Sequence, residues 1–405
     1  MNDNTAVGTR VRLHPLTYVA DGDDVMVGRP DTGSYGVFPP EGAELLRSLD
    51  AGATLESGAQ WWHDQTGETL DVADFVLILE DLGFVVAEND VRAELPQVRW
   101  QRLARVLFSP PVLVLYAVVV AGGLATMVLE PSLRPSYRNI FFTSNIALIP
   151  LVLAMFQIPL LLLHESFHAL AARRLGLPST LGVGRRFYYV VAETRLNSLY
   201  SVPRAQRYLP FLAGALVDAV GVGAFTMLSA AGRHWGAPPW LSGLVLALAF
   251  SGVLRILWQC LFYLETDFYF VFNLASRCTD LHGAAKDRLR TWRGAILRRP
   301  VPPADEQWSD RDLAAARWFA PLMVVGYGVS LGTLILVGIP TAVRFWSIVV
   351  DRFDGSQPLT IGGAIDTVCF MIISLTELSI LAYVTIRDLR RRRARASLKN
   401  ERTAS

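Results

Sequence analysis

Six mostly apolar stretches, at approximately 106–129, 146–172, 208–231, 240–264, 318–343 and 361–386, leave this chain few folds to choose from. Each is long enough for a helix to cross a hydrocarbon layer, which takes about 20 residues. Lipid offers no water to backbone amides, so a crossing segment must satisfy them internally. The reading is a mostly α integral membrane protein with six transmembrane helices. With 52% apolar residues, 18% charged residues and a mean hydropathy of +0.34, the chain is too greasy for an ordinary soluble enzyme.

Charge divides the chain further. Residues 1–96 hold 18 of the 36 acids but only 5 of the 38 Lys and Arg, a net charge of −13 against +15 for the remainder. An acidic soluble domain therefore precedes a basic membrane domain. Phosphates would be repelled by such a domain, which argues against a nucleic-acid partner. The loops 173–207, 277–314 and 387–405 carry 7, 8 and 8 basic residues, while 130–145, 232–239 and 344–360 carry 2, 1 and 2. That asymmetry puts the first set, and both termini, on the cytoplasmic side. The N-terminus has no apolar core of a signal peptide. Cys260, Cys278 and Cys369 lack the spacing of a thiolate cage or disulfide framework.

Three domains are expected: a small α+β, winged-helix-like domain at 1–96, a six-span domain at 97–390 and a basic cytoplasmic tail at 391–405. In the first, "LTYVADGDDVMVGR" offers two strands around a turn and "YGVF" a third. Helices follow in "PPEGAELLRSLDAG", in "TLESGAQWWHDQTG" with Thr54 as cap, and in "DVADFVLILEDLG" with Asp71 as cap. "FVVAE" closes the domain as a strand. In the membrane domain, "FYYVVAET" is read as an exposed strand near the membrane surface.

Chemistry concentrates in "PLLLLHESFHALAARR", where His164 directly follows the 18 uncharged residues 146–163. Ionisable groups inside a span are rare and are functional by default. His164 and His168, at i and i+4, share one helix face and can turn both imidazoles toward one Zn2+ ion. Glu165 sits about 100° round the helix, placed to act as general base toward a zinc-activated water. Catalytic zinc takes three protein ligands. The residues alone leave Asp267, at the cytoplasmic end of the fourth span, and Asp218, about ten residues into the third, both open as the third ligand. Arg255 is a partner for Asp218 or Glu377. Asp366 lies toward the opposite end of its span, and Glu377 has no assigned role.

"HESFHALAARRLGL", "AGALVDAVGVG" and "LETDFYFVF" together resemble the site-2-protease-like family of intramembrane zinc metalloproteases, over roughly residues 146–280. Ala215 stands where that family has Pro, Asp218 where it has Asn, and Thr-Asp replaces its usual Leu-Asp-Gly. The resemblance implies His164, His168 and Asp267 as ligands of one Zn2+ and Glu165 as the catalytic residue. Asp218 and Arg255 become groups that hold a ligand or orient substrate.

Residues 13–88 resemble the PqqD-like peptide-recognition element of ribosomally made, modified peptide pathways. In that family a leader peptide adds as a strand beside the third helix. The resemblance implies a leader-binding surface on strand 25–29 and helix 72–82, with Val25, Val27, Val72, Phe75 and Leu79. Together the two resemblances imply a maturation protease in the bacterial plasma membrane, of the kind found in daptide-type clusters. It would cleave the leader from a precursor peptide, with peptide-modifying enzymes or an export transporter as further partners besides the lipid bilayer. Two other classes stay open: a signalling protease of membrane-bound regulators, and a non-catalytic zinc-binding immunity or export protein.

Overall fold

The computed structural model describes residues 10–87, 91–92, 98–186, 189–278, 281–298, 308–354 and 360–404. Three antiparallel strands come first, β1 (Thr17–Asp21), β2 (Asp24–Arg29) and β3 (Ser34–Phe38), in the order β1-β2-β3. Asp21 pairs with Asp24, so the β1–β2 turn is two residues long, with Gly22 at φ 75°. Positive φ at that position gives a hairpin turn the twist its strands need.

Helices α1 (Pro40–Asp50), α2 (Leu55–Thr66) and α3 (Val72–Asp81) follow. Thr54 Oγ1 accepts from the Ser57 N–H at 3.3 Å, and Asp71 Oδ1 accepts from Ala73 and Asp74 at 2.9 and 3.3 Å. These are the two expected caps. Leu45, Leu46, Leu49 and Leu79 close on Val27 and Phe84 in a core from which water is excluded. The expected closing strand contracts to one bridge, Leu13 to Val85, with Glu88 outside the described residues. The Phe84 N–H donates to the Leu79 carbonyl at 2.8 Å instead of continuing the pairing, so that ladder stops.

Among the described residues, the remaining regular structure is helical apart from one pair of strands. In chain order come α4 (Gln101–Leu107), α5 (Pro110–Leu129), α6 (Leu148–Arg174), the paired strands β4 (Thr180–Arg186) and β5 (Tyr189–Arg195), and α7 (Arg204–His234). Then follow α8 (Pro239–Gln259), α9 (Asp267–Ser276), α10 (Leu281–Leu297), α11 (Asp310–Thr333), α12 (Ile339–Phe353) and α13 (Ile361–Ala404). Of the expected "FYYVVAET" strand, Phe187 and Tyr188 lie outside the described residues; the remainder falls in β5, paired to β4. Among the described residues, six helical stretches are long and apolar enough to cross a membrane: α5, α6, α7, α8, the continuous run Asp310–Phe353, and Ile361–Arg387.

Several boundaries differ from expectation, most widely the fifth span, expected at 318–343 and found within the continuous helical run Asp310–Phe353. The first span starts at Pro110, because α4 ends at Leu107, is capped by Phe108, and a new helix begins two residues after the cap. The fourth stops at Gln259, where a 3-10 turn and Glu265 at φ 54° redirect the backbone into α9. The segment 277–314, read as a loop, contains α10, whose Ala284 and Ala285 are buried with Ala316 and Phe319 of α11.

The chain divides into two compact units. The first joins Met1–Pro110 to Ser166–Gly182 and Thr194–Ala213. Inside it, Tyr35 shares a hydrogen bond of 2.8 Å with Ser201, and Arg204 donates to Asp21 at 3.0 Å. Gly176, at φ 80°, ends α6. The second unit comprises Pro111–Glu165, Val183–Glu193 and Gly214–Ser405. In it, α5 and α7 approach through Gly123 and Gly223: a Cβ on Gly223 would stand 2.6 Å from the Val119 carbonyl oxygen. Small residues permit such close backbone approach between membrane helices. Asp366 accepts from the N–H groups of Ile146 and Ala147 at 2.9 Å each, just before α6 begins, and pairs with Arg352 at 2.8 Å. It thus belongs to the end of α6 opposite the histidines, as the sequence implied.

Candidate metal centre

Helix α6 carries His164, Glu165 and His168 in its second half, all three buried. The boundary between the two compact units falls between Glu165 and Ser166, yet the helix runs through it unbroken. Continuous helical backbone therefore fixes the two imidazoles one turn apart on one face.

Each ring is held from behind. Asp218 Oδ2 of α7 lies 2.8 Å from His164 Nδ1, and the Pro210 carbonyl, also of α7, lies 2.7 Å from His168 Nδ1. Acceptors at Nδ1 fix the proton there and put the lone pair of each ring on Nε2. His164 Nε2 in turn lies 3.4 Å from Asp267 Oδ2. One ligating atom each from His164, His168 and Asp267 falls within 4.8 Å of the others.

This donor set fits a zinc ion. Bonds of about 2.0–2.1 Å at tetrahedral angles put ligating atoms about 3.3 Å apart, close to the His164–Asp267 separation. Two imidazoles and one carboxylate are the mix of a catalytic zinc rather than of a closed thiolate site. Carboxylate and carbonyl partners on the remote ring nitrogens are what metal-ligating histidines ordinarily have.

The sequence left Asp267 and Asp218 open, and the structure separates them. Both carboxylates address His164, but from opposite ring nitrogens, and only Asp267 groups with both histidines. Asp267 opens α9 rather than ending α8. Gln259 positions it: its Oε1 accepts from the Asp267 N–H at 3.0 Å, while its carbonyl takes the Thr266 hydroxyl at 2.7 Å. Arg255 of α8 donates to Asp218 Oδ1 at 2.8 Å and to Gln157 Oε1 of α6 at 2.6 Å. Its partner is thus Asp218; Glu377 is exposed on α13. Gln157, Gln259 and Pro210 were not singled out from sequence. Gln157 had a signal, being a lone polar residue seven before His164 and hence on the same helix face.

The expected leader surface requires correction. β2 is the central strand, paired on both sides, so Val25 and Val27 offer no free edge. Val27, Val72 and Leu79 are buried, while Val25 and Phe75 pack against that core. The apolar stripe of α3 was read as a binding face, but a stripe of that period faces the core. The exposed apolar groups beside it are Val37 of β3 (59% exposed) and Leu77 and Ile78 of α3 (56% and 54%). β3 runs against α3: Ser34 Oγ donates to the Leu82 carbonyl at 2.7 Å, and the Phe38 and Phe75 rings meet edge-on at 6.1 Å.

No protein-family model, curated protein or solved structure matches this chain.

Proposed function

We propose that the protein is a zinc-dependent intramembrane metalloprotease that cleaves the leader from a ribosomally made, modified precursor peptide at the cytoplasmic side of a bacterial plasma membrane. The observation that carries the reading is the convergence of His164, His168 and Asp267 beside Glu165 on an apolar helix, with both Nδ1 atoms already engaged. A bound zinc ion would supply Lewis acidity to water and to the scissile carbonyl. Glu165 takes the proton of the attacking water and delivers it to the departing amide nitrogen. Asp218 steadies His164, and Arg255 balances the charge of Asp218. The precursor adds as a strand along β3, its apolar side chains meeting Val37, Leu77 and Ile78, so that a flexible leader is drawn out in the extended form a protease needs.

The test compares host cells carrying wild type or Glu165→Gln by mass spectrometry of newly formed peptide N-termini, alongside zinc content of each purified protein. Zinc should stay near one ion per chain in both, while termini depending on Glu165 vanish from the variant. An identical set of termini from both proteins would reject the protease reading and leave a zinc-binding structural role.

A further inference from the structure

A cleft of about 630 Å3 opens where three apolar helices end: at the start of α5, the end of α6 and the first turns of α7. All of its lining belongs to the first compact unit. Arg105 of α4, Arg174 of α6 and Gln206 of α7 supply its polar wall; Phe108, Leu209 and Pro210 supply apolar surface. No aspartate or glutamate lines it among the described residues, so nothing on its walls neutralises the two guanidiniums. The neighbouring Arg173 is engaged elsewhere, donating to the hydroxyl and carbonyl of Ser179 at 3.0 Å each. Arg105 is steadied by the Gln101 carboxamide, which with its oxygen turned inward accepts from Arg105 Nη2 at 3.2 Å and from the Gly176 N–H at 3.3 Å.

The level of the cleft along the helices names the anion. Apolar spans give way here to arginines, which is where lipid phosphates stand. Helix α4 and its preceding residue expose Trp100, Leu103 and Val106 at three-residue spacing, an apolar stripe suited to lying in the headgroup layer. We infer that the cleft binds the phosphate of an anionic phospholipid headgroup. Arg105 and Arg174 take its charge, Gln206 donates to a phosphate or glycerol oxygen, and the acyl chains follow the apolar flanks of the spans. The inference does not depend on proteolysis.

The experiment uses full-length protein, stripped of lipid in neutral detergent, titrated with phosphatidylglycerol, phosphatidylcholine or inorganic phosphate and read by native mass spectrometry and thermal unfolding. Wild type should bind phosphatidylglycerol at least about tenfold more tightly than phosphatidylcholine, and inorganic phosphate far more weakly. Arg105→Gln with Arg174→Gln should weaken phosphatidylglycerol by about 25-fold, about fivefold for each arginine. Lysine at both positions should retain most of the preference, which separates lost charge from misfolding. Arg290→Gln with Arg293→Gln, on α10, should change nothing. An unchanged affinity in the double glutamine variant, or no preference over phosphatidylcholine, overturns the inference. Inorganic phosphate binding as tightly as the lipid would overturn the lipid assignment in favour of a free anion.

Discussion

Asp218 and Asp267 are chemically alike and both approach His164, yet their substitutions should behave differently. Asparagine at 218 keeps an acceptor for the His164 Nδ1 proton but removes the negative charge behind the ring. Zinc affinity should fall about 10–100-fold, the usual effect of altering the partner of a metal-ligating histidine. Asparagine at 267 removes a ligating charge itself, so purified protein should hold little zinc. Chelator competition on both variants checks the pair; equal zinc retention in Asp267→Asn and wild type would break the assignment. Arg255→Met should act on folding, since it strands the buried Asp218 carboxylate without its cation; removing one partner of such a pair costs about 3–5 kcal/mol. In the N-terminal sheet, the Arg29 side chain hydrogen-bonds Asp31 and holds its carboxyl below the usual range. A lowered folded value means stability that is present above the unfolded value and lost as pH falls through the folded one. The gap in melting temperature between wild type and Asp31→Asn should therefore shrink as pH is taken from 7 toward 3. A gap independent of pH would show that the pair contributes through packing rather than charge.

Among the elements, the meeting of α5 and α7 makes the sharpest demand on residue size. Gly223→Ala puts a methyl 2.6 Å from the Val119 carbonyl oxygen, a backbone atom with no rotamer to yield. The helices must part, and a loss of about 1–3 kcal/mol is expected from overpacking. Gly328→Ala on α11 meets nothing within 4 Å, so it should be neutral or stabilising by up to about 1 kcal/mol on helix propensity alone. Thermal unfolding in detergent separates the two; equal shifts would mean the α5–α7 approach is looser than drawn. Which elements could be read from sequence follows from where their signals live. Thr54 and Asp71 announced their helices because a cap acts locally on the next three amides. The six apolar stretches were legible for the same reason, as length and hydropathy are local. Helix α10 was hidden: seen as a count of basic residues, "LHGAAKDRLRTWRGAIL" reads as a loop, and its apolar face has meaning only against α11. Strand order was hidden too, because no residue of β2 says whether it sits at an edge or in the middle.

For the whole molecule, the part fully readable in advance was two histidines and a glutamate set by helix period, while Asp267, Asp218 and Arg255 were candidates whose partners stayed open. The rest of it, Gln157 to Arg255 to Asp218 to His164, is a relay across three helices that only packing brings together. The same limit governed the N-terminal domain, where periodicity located an apolar face but could not say whether core or ligand covers it. That distinction yields a test of whether the N-terminal sheet and helices serve the proposed protease in substrate selection. Deleting residues 1–96 would also remove Tyr35 and Asp21 from Ser201 and Arg204, confusing lost recognition with lost packing. Leu77→Glu with Ile78→Glu avoids this. Both side chains are already more than half exposed, and surface changes of that kind move stability by about 0.5 kcal/mol or less. If precursor docks along β3 beside α3, the double variant should keep its zinc and its melting temperature while Glu165-dependent products form about tenfold more slowly at low precursor concentration. Saturating precursor should restore the rate, because the defect is in capture and not in bond cleavage. A variant that processes at the wild-type rate at every concentration would remove the N-terminal domain from substrate selection and leave the zinc centre to choose its own peptides.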